Sequence, residues 1–126
     1  MKYIALFLLA YASFAHANDF ASRVKAGESA LATPSGQRYE ASWGKTMQAS
    51  LKTCIPVGST SSAYLGEFTF VANVSSSGAV SSVQVKPVTP VSRCFAMHFG
   101  DVSLPPPPGI RPGGFLPVAD SVSITP

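Results

Sequence analysis

The sequence predicts a mixed α+β domain whose elements run in the order helix, hairpin, helix and closing strand. Three observations predict it. Apolar residues recur at every fourth position from Tyr39 to Ile55, the mark of an amphipathic helix. Polar and apolar residues alternate from Glu67 to Val74 before a Ser/Gly turn, as in a half-buried strand entering a hairpin. Thr89-Pro90 then opens a second helical period, with a capping residue followed by proline in the first turn.

A chain of 126 residues has room for one domain. With only 12% charged residues and a net charge of +3, it lacks the clustered basic face of a nucleic-acid binder, so nucleic acid is not an expected partner. Eleven prolines and ten glycines are too few and too irregular for a collagenous or wholly disordered chain.

The first element is an export signal at 1–17. Lys2 supplies the positive start, Tyr3 to Phe14 is almost unbroken apolar sequence, and Ala15-His16-Ala17 sets small residues at the cleavage positions. The apolar run falls short of the roughly 20 residues that span a bilayer, so cleavage near Ala17 and no retained transmembrane segment are expected. That places the mature protein in the periplasm or the extracellular space. Residues 18–36 mix charges, small residues and Pro34 without a sustained period, and read as a flexible N-terminal arm. The folded domain is expected over 37–126.

The first helix carries Tyr39, Trp43, Met47, Leu51 and Ile55 on one face, with Cys54 beside them, and Pro56 ends it. Trp43 could stack on a ligand, but its place in the stripe favours core packing. Gly44 weakens the helix by about 1 kcal/mol against alanine and suggests close approach of another element. In the first strand Phe68, Phe70, Ala72 and Val74 share a face, and Ser75-Ser76-Ser77-Gly78 makes the turn. Val80 to Val88 is the partner strand, with Val80 out of phase with Val83 and Val85, which points to a bulge or an edge. Pro87 confines its far end to an edge or terminus. The Asn73-Val74-Ser75 triplet has the form of a glycosylation acceptor, but a strand interior favours coincidence.

In the second helix Val91, Cys94, Phe95, His98 and Phe99 share a face. His98 has no second histidine in the mature chain and no carboxylate placed to orient it, so a packed histidine is expected rather than a general base. Gly100 and Asp101 end the helix. Pro105 to Pro108 then form an extended strap; the alternative is a docking segment for an aromatic groove. Gly109 to Gly114 is a loop, and Leu116 to Ile124 closes the chain as a strand, with Val118, Val122 and Ile124 in phase and Asp120 interrupting them.

Cys54 and Cys94 are the only cysteines. An even pair in a small exported domain reads as a disulfide, closing a loop of about 40 residues worth roughly 3–4 kcal/mol. There is no C-x-x-C, and two cysteines with one histidine fall short of the four ligands of a structural zinc site. Neither a metal nor a cofactor is expected, and the absence of a convergent nucleophile, base and orienter argues against an enzyme.

From about Trp43 to Ile124 the chain resembles the C-terminal domain of TonB-type energy transducers. It is most similar to the cysteine-containing TonB-like domains of the AgmX/PglI type in gliding-motility proteins. The resemblance rests on Cys54-Ile55-Pro56 after the first helix, Gly66-Glu67-Phe68-Thr69-Phe70 in the first strand, and Gly78 to Val85 in a G-x-V-x-x-V-x-V hairpin. Cys94 in the second helix and Leu104-Pro105-Pro106-Pro107 complete it. It implies two helices packed on a three-stranded antiparallel sheet, in the order α-β-β-α-β, with no catalytic centre. It also implies a protein-binding role in the cell envelope, in which a partner segment adds to a sheet edge.

The edge nearest to this is the last strand, with Val118, Asp120, Val122 and Ile124 as candidate partner-binding residues; Pro117 and Asp120 could blunt or occupy it. Self-pairing through that edge would give a symmetric homodimer. Without a retained anchor or a long proline-rich linker, energy transduction by this chain alone is not expected. The competing reading is a small periplasmic inhibitor or immunity-type protein that plugs an enzyme with its Pro/Gly-rich loop, through Pro107, Gly109, Arg111 and Gly113.

Overall fold

A computed structural model describes residues 19–58 and 64–125; the expected signal segment and its cleavage at Ala17 lie outside the described residues. Six elements follow in order: α1 (Asp19–Ala32), α2 (Pro34–Lys52), β1 (Gly66–Ser75), β2 (Val80–Lys86), α3 (Pro90–Phe99) and β3 (Phe115–Ile124). The strands form one antiparallel sheet in the order β2-β1-β3. No described helix is long and apolar enough to cross a membrane.

The expected α+β class holds, with three helices rather than two among the described residues. The extra one is α1, over residues read from sequence as a flexible arm. That reading failed because α1 buries only Gly27 and Leu31. Its packing side runs through Phe20, Val24, Gly27 and Leu31, half-buried or buried at helical spacing, a stripe interrupted at its centre by glycine. A Cβ on Gly27 would sit 2.5 Å from the Ala119 nitrogen and the Val118 carbonyl carbon, so glycine lets the helix rest directly on the β3 backbone.

Thr33 starts α2 earlier than the apolar stripe suggests. Its hydroxyl accepts a hydrogen bond from the Gly36 N–H at 3.0 Å, and Pro34 occupies the first turn. This cap satisfies one of the orphan donors of the helix start. At α3 the expected cap is present and doubled: Thr89 Oγ1 accepts from the Ser92 N–H, and Ser92 Oγ accepts from the Thr89 N–H at 2.8 Å. Gly44 departs from expectation, since nothing lies within 4 Å of where its Cβ would be.

The two faces of the sheet follow from the register. Phe68, Phe70, Ala72 and Val74 of β1 lie opposite Val122, Asp120, Val118 and Leu116 of β3, and facing residues share a side. This front face meets α2 and α3, and the core forms there around Trp43, Phe70, Phe95 and Phe99, all fully buried. The rings touch at centroid distances of 5.1 Å for Phe70–Phe95 and 5.2 Å for Phe70–Phe99. Such pairs add about 0.5–1.5 kcal/mol each beyond burial.

Val71 and Ala119 face the back, where α1 covers them. Leu31, at the end of α1, joins the front core with Tyr39, so the α1–α2 turn rounds the β3 side of the sheet. The register of β1 with β2 shifts between Val71 and Asn73, and Ser82 opposite takes φ 54°. This irregularity accounts for the misplaced phase of Val80.

Candidate functional site

The backbone groups of β3 alternate between the ladder and the outside. Pro117, opposite Asn73, has no N–H to give a ladder and so belongs to the outward set, with Ala119, Ser121 and Ser123. Of the four donors a partner strand would need, three are missing, covered or satisfied, and Ser123 keeps its own. Pro117 has no donor, Ala119 N lies beneath Gly27 of α1, and the Ser121 N–H donates to Asp120 Oδ1 at 2.8 Å. The candidate residues of this edge turn inward: Val118 and Val122 are buried in the core, and Ile124 packs partly against it.

Asp120 has a second interaction. Together with Gln37, Glu40, Ala41, Trp43, Gly44 and Met47 it lines a cavity of about 360 Å³ between α2 and β3. Burial, a side-chain hydrogen bond to Asp120 and the Asp120 charge together push the Glu40 carboxyl up to about 7. Two carboxyl groups this close favour sharing a proton. Asp120, unexplained as a break in an apolar face, is thus the acceptor for an edge N–H and the partner of Glu40.

On the other side of the sheet β2 is also an outer strand. Phe70 of β1 lies opposite both Asp120 and Val85. Its backbone groups serve the β3 ladder, so those of Val85 point outward. At the start of β2, Ala79 bridges to Ser103 and the Leu104 N–H donates to the Gly78 carbonyl at 2.9 Å. At the bulge, Arg23 of α1 donates to the Ser82 carbonyl at 2.6 Å and to Gln84 Oε1 at 2.7 Å. Beyond it Val85 is half-buried, and Lys86 and Val88 are exposed. Among the described residues no strand pairs with this stretch.

The proline segment is tied down as a strap. Leu104 and Pro107 are buried, and the Tyr39 hydroxyl donates to the Pro105 carbonyl at 2.8 Å. Burial of Tyr39 raises its phenol to about 12. The strap ends in an exposed tip carrying Gly109, Arg111 and Gly113, in which both glycines take positive φ and the Gly114 N–H closes a turn on the Arg111 carbonyl. Positive φ at these two positions is the conformation glycine adopts without strain.

Cys54, just past α2, and Cys94, in α3, form the disulfide, with Cα atoms 5.7 Å apart. His98 is exposed rather than packed, and its ring stands with both sulfurs in a group whose ligand atoms all lie within 4.8 Å of one another. The sequence offers the same three residues, too few by count for a structural zinc site, without showing that they are neighbours in space. The signal was the spacing of Cys94 and His98, four residues apart on one helix and therefore neighbours on its surface. No family model, curated protein or solved structure matches the chain.

Proposed function

We propose that this chain is a non-enzymatic binding module of the cell envelope, of TonB C-terminal-like fold, which recognises an extended segment of a partner protein by strand addition. The observation that carries this reading is the unequal treatment of the two sheet edges. Of the outward donors of β3 one is missing at Pro117, one is covered by α1 at Ala119 and one is satisfied at Ser121, whereas β2 from Val83 to Lys86 keeps an unpaired outer side among the described residues. An exposed edge is a template for another strand unless it is blunted. The partner segment therefore lies along β2 in this reading, not along Val118 to Ile124. Lys86 and Val88 beside this edge favour a segment carrying an acidic and an apolar residue. The disulfide supports an oxidising compartment.

The test begins with crosslinked capture from the source cell envelope, followed by peptides tiling the captured protein. A peptide that binds should slow hydrogen exchange at the Val85 amide. Val85→Pro should abolish its binding, because it removes an outward donor while leaving the ladder to β1 intact. Ser123→Pro, on the β3 edge, should not. Unchanged binding by a folded Val85→Pro variant refutes strand addition at β2. The exposed tip around Arg111 favours the inhibitor reading as the alternative; there, a captured soluble enzyme would lose its complex on substitution of Arg111 and keep it in Val85→Pro.

A further inference from the structure

The disulfide cluster offers more than a staple. Cys54 Sγ, Cys94 Sγ and a ring nitrogen of His98 converge from two helical segments, and their ligand atoms lie within 4.8 Å of one another. A metal with bonds near 2.3 Å holds three ligands about 4 Å apart in a trigonal plane, a spacing the two sulfurs, bonded to each other here, reach only when reduction lets them part beside His98. Access is open, because His98 is exposed and both cysteines are only half-buried. Met97, 65% exposed on α3, is three residues beyond Cys94 and shares its side of the helix, adding a soft thioether to the surroundings. Two thiolates and an imidazole beside a thioether suit Cu(I) better than a harder ion. Zinc, by contrast, calls for a fourth strong ligand.

We propose that the reduced form of this protein holds one Cu(I) ion on Cys54, Cys94 and His98, so that the disulfide gates a metal site. In the first step a dithiol, of the class carried by thiol oxidoreductases, attacks the Cys54–Cys94 bond. Two electrons and two protons pass to this chain, giving two thiols, and the donor becomes a disulfide. In the second step Cu(I) binds both sulfurs and the neutral His98 nitrogen, and the two thiol protons are released to solvent. The oxidised form has no thiolates to offer and does not bind.

The experiment uses the full mature chain, reduced with a phosphine under argon and titrated with Cu(I) alone against a chromogenic Cu(I) chelator. The proposal expects one ion per chain, a sulfur-to-copper absorption band in the near ultraviolet, and no uptake by the oxidised protein. His98→Ala, a surface change that leaves the disulfide and the core alone, should weaken binding at least about tenfold. Zn(II) should bind more weakly than Cu(I). Unaltered affinity in His98→Ala, tighter binding of Zn(II), or equal uptake by oxidised protein overturns the proposal. So does a reduced chain that loses its native circular dichroism and does not regain it with Cu(I).

Discussion

Glu40 makes stability fall with rising pH through a window set by one carboxyl group. Its ordinary value of 4.5 is lifted to about 7 in the folded chain by burial and by Asp120. Between those values the folded state keeps a proton that the unfolded state has released. The folded state is therefore stabilised at the acid end, and loses that advantage as pH rises towards 7. A shift of this size corresponds to at most about 3 kcal/mol. Glu40 is only half-buried, beside an open cavity, and solvent screening reduces the expected effect to about 1 kcal/mol. In a domain of this length that is a change in Tm of about 4–8 °C.

The assay is thermal unfolding at pH 5 and pH 8.5. Glu40→Gln should match the wild type at pH 5, since its amide replaces the protonated carboxyl as a donor to Asp120. At pH 8.5 the variant should be the more stable by that margin. Asp120→Asn removes the charge but keeps an oxygen for the Ser121 N–H, and should also flatten the difference between the two pH values. A gap between wild type and Glu40→Gln that is the same at both pH values refutes the assignment.

The remaining predictions concern the framework. Reducing Cys54–Cys94, whose sequence separation is 40, should cost about 4 kcal/mol by loop entropy, read as a lower urea midpoint in the absence of metal. Gly27→Ala should destabilise by more than about 2 kcal/mol despite alanine's better helix propensity, because its Cβ collides with the β3 backbone. Gly44→Ala, with open space around it, should gain about 0.5–1 kcal/mol, and the opposite signs are checked by paired denaturation curves. Thr89→Ala should cost about 1 kcal/mol through loss of the reciprocal cap at α3, measured in the same way.

Elements with a periodic apolar face were legible in the sequence: α2 from Tyr39 and Trp43, β1 from its alternating phenylalanines, α3 from Thr89-Pro90. Each advertises its burial through side chains. α1 was less legible because its stripe of Phe20, Val24 and Leu31 is broken at the centre by Gly27, where the helix packs through the side chain it lacks. Gly44 invited the opposite error, since glycine in a helix marks a close approach in one place and open space in another. Only the neighbouring elements decide which. The same limit hid the site. His98 and Cys94 are neighbours by spacing, but Cys54 reaches them only through the tertiary fold. Likewise Glu40 meets Asp120 only once α2 lies across the sheet.

Asp120 connects the electrostatics of the fold to the choice of edge. An inward-pointing charge at an edge strand is one of the ways proteins discourage unwanted strand pairing. Here it also ties up the Ser121 N–H, so the blunting is chemical as well as electrostatic. Asp120 is half-buried beside an open cavity, and a Glu40 kept protonated by burial and by Asp120 faces it without like-charge repulsion. Deprotonation of Glu40 would set two negative charges against each other across the cavity, and the way to relieve them is for α2 and β3 to separate. The β3 edge is thus best guarded at mildly acidic to neutral pH. On this reasoning hydrogen exchange at the Ser121 amide should quicken between pH 6 and pH 8.5 by more than the general base-catalysed rate, and should not do so in Glu40→Gln. An excess that persists in Glu40→Gln would show that Asp120 guards the edge without the help of its neighbour.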